Sequence, residues 1–245
     1  MRLIDVLRLV FSILLACAGA LLALPLLLLP PRWRRQSVAR AIVLPCSHAI
    51  LRLWGVRLRV HGAPPWPTEQ TVYVSNHTST LDVFILTALG LPQARYFLSG
   101  YLRKLPPIGI LGMLSGVFWT VPQAFPERRR EIFSRAAATL RASGESVFLS
   151  PEGERVIGGQ VGPFNRGAFH LAISLGADIV PLFIVIPQAI DPGRGLVAGR
   201  GTVDVHVFAA IPTAGLGVDD VDALRTAVRE RYLAWNAEYR GSVSA

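Results

Sequence analysis

Thr71-Val72-Tyr73-Val74-Ser75-Asn76-His77-Thr78-Ser79-Thr80-Leu81-Asp82 changes character midway. Its first four residues are β-branched or aromatic, the composition of a buried strand. Leu81, Val83, Phe84, Ile85 and Leu86 then read as a helix buried on several sides. His77 therefore falls on a strand-to-helix turn, where a loop holds polar groups over a sheet edge. Five residues of continuous helix would rotate His77 and Asp82 apart. A helix that starts near Ser79 instead lets the turn fold the imidazole back toward the carboxylate. A carboxylate on one ring nitrogen fixes the tautomer and leaves the other nitrogen to take a proton from a hydroxyl. The same residues fit a capping box with Ser79 as N-cap and Asp82 at the third helical position, so both readings stand at this point.

A second stretch repeats the pattern. Val147-Phe148-Leu149 is strand-like and ends in Ser150-Pro151-Glu152-Gly153-Glu154-Arg155, a turn that carries a guanidinium suited to an oxyanion. Read alone, it is equally a surface turn with a solvated Glu–Arg pair.

Taken together, the two stretches resemble the glycerolipid acyltransferase family. Asn76, His77, Ser79 and Asp82 match every fixed position of its Asn-His-x-Ser-x-x-Asp block. Pro151, Glu152, Gly153 and Arg155 match its Phe-Pro-Glu-Gly-Thr-Arg block, with Ser150 and Glu154 departing. Phe164-Asn165-Arg166-Gly167 and Ile179-Val180-Pro181-Leu182 resemble two further blocks, in family order across residues 55 to 210. The resemblance implies His77 as general base with Asp82 orienting it. It implies Asn76, Ser79, Glu152, Gly153 and Arg155 as substrate-binding residues, with no metal and no bound cofactor. The implied reaction moves a fatty acyl group from acyl-CoA or acyl carrier protein to the hydroxyl of a lysolipid, above all 1-acyl-sn-glycerol-3-phosphate, giving phosphatidic acid. One block departs further. Pro106-Pro107-Ile108-Gly109 and Gly116-Val117-Phe118-Trp119 resemble the second block, but its two basic positions fall at Ser99-Gly100 and Val121-Pro122. Arg155, or Arg103 and Lys104 from a shifted loop, are the cations available in compensation. The alternatives are a lysolipid without a phosphomonoester, such as a lyso-aminolipid, and a catalytically idle lipid-binding homologue. A hydrolase is disfavoured by the lack of a Gly-x-Ser-x-Gly elbow.

The rest of the chain sets the surroundings. With 245 residues and 51% hydrophobic content it suffices for one α/β domain with a sizeable core plus a membrane segment. Leu9–Leu29 carries no charge, and a helix of that length extends about 31 Å, close to the hydrocarbon thickness of a bilayer. Its length and the Arg-rich flank after Pro30-Pro31 argue for an uncleaved anchor. Residues 37–54 read as an interfacial helix or the returning arm of a hairpin, bent at Pro25 and Pro30-Pro31. Residues 1–54 are thus the expected membrane anchor and 55–245 the catalytic domain. Arg32, Arg34, Arg35 and Arg40 outnumber Arg2 and Arg8, which puts the catalytic part on the cytoplasmic face of the membrane. The net charge of +9 comes without a nucleic-acid-binding module, so the basic clusters at 32–59 and 103–104 suit anionic lipid headgroups. The run 128–130 reads first as the solvated start of a helix.

Cys17 and Cys46 read as small hydrophobes, and His48, His61, His170 and His206 as structural. Strands are expected at 55–61, 72–75, 95–98, 117–121, 146–150, 179–186 and 202–209, and helices at 81–89, 127–142, 167–175 and 218–239. This alternation implies a mixed, mostly buried sheet flanked by helices, with a mobile loop over 190–201.

Overall fold

The computed structural model describes residues 2–62, 66–191, 193, 195 and 197–241. Seven strands form one sheet: β1 (Val56–Gly62), β2 (Thr71–Ser75), β3 (Ala94–Ser99), β4 (Phe118–Thr120), β5 (Ser146–Leu149), β6 (Asp178–Val185) and β7 (Gly201–Val207). Their order is β1-β7-β6-β2-β5-β3-β4. All neighbours run parallel except the antiparallel pair β6 and β7, so the sheet is mixed as expected. Every residue of β2 and β5 is buried, which explains their continuous apolar runs.

The helices are α1 (Leu3–Ala23), α2 (Pro31–Ser37), α3 (Leu44–Trp54), α4 (Asp82–Ala88), α5 (Pro106–Leu114), α6 (Pro126–Ser143), α7 (Gly167–Leu175) and α8 (Val221–Gly241). Alternating residues of each strand send one core to each face of the sheet. Val72, Val74, Val147 and Leu149 pack against α6, α7 and α8, while Tyr73 and Phe148 pack against α3 and α4. Chain direction then fixes the position of the crevice. The chain leaves β2 for α4 on one face, and leaves the neighbouring β5 for α7 on the other. Such a switch point opens a crevice beyond the carboxyl ends of the two strands.

One helix was not foreseen. Pro106-Pro107-Ile108-Gly109 has poor helix propensity, yet it forms α5, with both prolines in the first turn where no amide partner is lost. Its glycines are needed for close approach: a Cβ on Gly109 would collide with the Arg103 carbonyl oxygen, and one on Gly112 would lie 2.6 Å from the Trp119 ring.

The N-terminal segment is a bent hairpin joined to the domain. α1 continues through a 3-10 turn over Leu24–Leu28, and Pro31 opens α2, so the bends sit at the expected prolines. The helix over Leu3–Leu28 is long and apolar enough to cross a membrane. One stripe of α1 (Arg8, Ser12, Gly19, Ala20, Ala23) is buried, and it packs on α3 and α5. Trp54 Nε1 donates to Ser12 Oγ at 3.1 Å, and Cys46 sits against Gly19. The opposite stripe leaves Leu3, Leu7, Val10, Phe11, Leu14 and Leu21 exposed. The expected boundary at residue 54 does not separate two cores, because Ile50, Leu51 and Trp54 belong to the same cluster as Tyr73 and Ile85. Nor is Arg35 free for lipid headgroups: its Nε and Nη2 meet the two carboxylate oxygens of buried Glu145 at 2.9 and 3.0 Å. A bidentate pair of this kind fixes orientation, here tying the hairpin to the start of β5.

Of the loop expected to be mobile over 190–201, Pro192, Arg194 and Leu196 lie outside the described residues. Its ends are pinned: Ile190 and Ala198 are buried, and the Gly199 amide donates to the Ile190 carbonyl at 3.1 Å.

Candidate active site

His77 lies just past β2 and Glu152 just past β5, on adjacent strands in register at Val74 and Leu149. His77 Nδ1 and Asp82 Oδ2 are 2.6 Å apart. The same carboxylate oxygen accepts the amides of Thr78 at 2.8 Å and Ser79 at 3.0 Å. Asp82 is 2% exposed and opens α4, where the helix dipole favours a negative charge. An ionised carboxylate only accepts, so Nδ1 carries the ring proton, and Nε2 is left with an open lone pair. The capping box with Ser79 as N-cap does not form: Leu81 is the N-cap and Asp82 the first residue of α4, so the Asp82 carboxylate takes the Ser79 amide within the preceding turn, and Ser79 Oγ accepts from Leu81 N at 3.2 Å.

The turn after β5 holds the histidine's backbone from both sides. Glu152 Oε2 accepts the His77 amide at 2.6 Å, and the Val156 amide donates to the His77 carbonyl at 2.8 Å. Glu152 Oε1 accepts the Gly162 amide at 2.8 Å. Burial pushes the Glu152 carboxyl up to about 6, against the opposing pull of the two amides. Asn76 braces the other side: its Nδ2 donates to the Ile184 carbonyl and its Oδ1 accepts the Ile184 amide, at 2.9 and 2.8 Å.

The five expected substrate-binding residues fall into two groups. Asn76, Ser79 and Glu152 are buried and engaged with the chain's own backbone, so in this structure they position His77 and its turn. Gly153, at φ +73°, adopts a left-handed conformation suited to glycine and lies exposed at the tip of the turn. Arg155 is partly buried and forms no ion pair among the described residues, which leaves its guanidinium available to an anion.

Arg103 and Lys104 are exposed on a short 3-10 turn. Near Val121, where one of the two basic positions falls, lies a cation that the sequence reads as solvated. Arg129, in the first turn of α6, donates from Nη1 to the Val121 carbonyl at 3.0 Å. Its Nη2 would lie 3.4 Å from a Cβ on Gly153. Partial burial lowers the pKa of this guanidinium. A signal for it was present: three arginines at a helix N-terminus oppose the dipole, and such a cost calls for a reason.

The protein-family model described as Acyltransferase matches residues 57–185, more than half of the chain. The chain belongs to the acyltransferase family. Among curated acyltransferases, human 1-acyl-sn-glycerol-3-phosphate acyltransferase alpha is 34% identical over 191 residues, 74% of this chain and 64% of that protein. The mouse alpha enzyme is 31% identical over 226 residues, covering 87% of this chain and 74% of its own. The chain therefore spans a little under two thirds of the length of the human relative. The crystal structure of the 1-acyl-sn-glycerophosphate acyltransferase PlsC from Thermotoga maritima shares the fold, with a TM-score of 0.73 at 18% identity. That likeness covers 95% of this acyltransferase and 98% of the other chain.

Proposed function

We propose that this acyltransferase moves a fatty acyl group from acyl-CoA or acyl carrier protein to the free hydroxyl of a lysolipid at the cytoplasmic face of a membrane. The observation that carries the proposal is the 2.6 Å contact between His77 and a buried, amide-pinned Asp82 at the switch point. His77 Nε2 takes the hydroxyl proton as the lysolipid oxygen attacks the thioester carbonyl carbon. The tetrahedral oxyanion then collapses, the carbon–sulfur bond breaks, and the imidazolium returns its proton to the leaving thiolate. Asp82 holds the ring and stabilises the imidazolium while it lasts. An idle homologue would have no need to keep a base braced by Glu152, Val156 and Asn76.

The proposed acceptor is 1-acyl-sn-glycerol-3-phosphate, which the names of the relatives support, and the product is phosphatidic acid. Arg155 is the proposed phosphate partner; charge-assisted bonds of this kind are stronger than neutral ones. Attachment to the membrane is proposed through the exposed stripe of α1. It should survive carbonate washing, since buried apolar area is not screened by salt.

A panel of lysolipid acceptors offered to the purified enzyme with one labelled acyl thioester tests the reaction. Phosphatidic acid formation that Arg155→Ala abolishes and Arg103→Ala leaves intact is the expected outcome. Transfer confined to acceptors without a phosphomonoester would assign a different headgroup.

A further inference from the structure

The face of the sheet opposite α1 carries a second feature. Between α6 and α7 runs a groove of about 780 Å³, within the size range of small-molecule sites. Its walls are apolar, formed by Phe133, Ala137, Ala168 and Leu171. Its lining also holds four arginines, Arg129, Arg130, Arg141 and Arg166, and no acidic side chain. Arg141 donates to the Ser174 carbonyl and Arg166 meets Asp222 outside the groove at 3.3 Å. Arg130 has neither hydrogen bond nor ion pair among the described residues. Such a field attracts an anion, and the apolar walls suit an uncharged arm attached to it.

One end of the groove reaches the outer side of the Glu152 turn. Ser150, Pro151, Gln123 and Asn165 line it. Asn165 Nδ2 donates to the Pro151 and Glu152 carbonyls at 3.1 and 2.8 Å, and Gln123 Nε2 to the Glu152 carbonyl at 3.2 Å. Glu152 in turn holds the His77 amide. The groove thus opens on the far side of the turn that braces the base. Its helices belong to the core opposite the one that α1 and α3 cover.

We propose that this groove receives the carrier portion of the acyl donor, its phosphopantetheine arm, with the phosphate on the arginine rim and the thioester directed toward His77. This rests on the acyl-transfer reading above. The geometry separates the two substrates: the lysolipid enters from the side of the exposed α1 stripe, and the water-soluble donor from the α6–α7 side. Coenzyme A and acyl carrier protein share the phosphopantetheine chemistry.

Equilibrium binding of coenzyme A and of holo acyl carrier protein to the full-length protein tests the groove without requiring turnover. The variants are Arg130→Glu, Ala138→Trp to fill the groove, and Arg128→Glu as a charge-matched control outside the lining. Arg130→Glu should weaken binding of the true carrier about tenfold, as expected for a lost charge-assisted contact. Ala138→Trp should weaken it too, and Arg128→Glu should leave it within about twofold. In turnover the same two groove variants should raise the donor KM and leave the acceptor KM unchanged. The carrier whose binding responds identifies the source. Unchanged binding of both carriers in Arg130→Glu and Ala138→Trp, with melting temperatures at the wild-type value, would overturn the assignment, as would a rise in acceptor KM alone. A wild type that binds a carrier through the groove yet acylates no lysolipid would remove the proposed reaction and leave the groove standing.

Discussion

Two histidines in this acyltransferase make the same contact and are built for different ends. His77 Nδ1 lies 2.6 Å from Asp82, and His61 Nε2 lies 2.6 Å from Asp204. The imidazoles are about equally open, with side chains 37% and 40% exposed. The carboxylates are not alike: the Asp82 side chain is 2% exposed and Asp204 27%. Asp82 is fixed by two backbone amides, whereas Asp204 also lies 3.8 Å from the exposed Arg59. His61 sits on the edge strand β1, its ring stacked on His206 at 4.6 Å. A short His–Asp contact therefore does not by itself make a base. What differs is a carboxylate that cannot turn away and a place at the switch point of the sheet.

The largest test of this contrast is removal of each ring. His77→Ala should lower acyl transfer by about three orders of magnitude or more, and His61→Ala should change it less than about twofold, at matched expression. Comparable losses from both would end the distinction. Next come the carboxylates. Asp82→Asn should cost about two to four orders of magnitude in kcat, because an amide no longer fixes the tautomer, while Asp204→Asn should stay near wild type.

Glu152→Gln should have an intermediate effect, roughly ten- to a hundredfold in kcat, since one end of the amide presents N–H to a backbone N–H. The pH dependence has a definite sign. The folded protein holds the Glu152 proton up to about pH 6, above the ordinary value of 4.5, so charging this group opposes folding. Relative to Glu152→Gln, the wild type should lose stability as pH rises from 4.5 to 6, by about 2 kcal/mol, read from unfolding in detergent across that window. A stability difference independent of pH would show that Glu152 titrates normally. The smallest expected effect is at the edge pair. His61→Ala should change stability by no more than about 1 kcal/mol, as expected for a partly exposed ion pair, measured by the same unfolding assay.

The contrast also shows what was legible in the chain. His77 and Asp82 are five residues apart, so their meeting depends only on where one turn ends and α4 begins, and the residue pattern carries that information. His61 was read as structural because its meeting with Asp204 depends on the β1–β7 register, which pairs His61 with His206, two residues beyond Asp204. Arg129 was hidden in the same way: its role follows from the path of α6 past Val121 and Gly153, not from its neighbours in sequence.

Local signals in the chain specify the seven strands, the turn that carries His77, the apolar N-terminal helix and the family block order. These are set by local periodicity, β-branching and turn chemistry, which act over a few residues. Long-range packing settles that Asn76 and Glu152 brace the backbone, that Arg35 clamps Glu145, and that Pro106–Leu114 is a helix. In each case a buried polar group or a poor helix former takes its state from a partner far along the chain, because burial makes an unpaired group costly wherever its partner comes from.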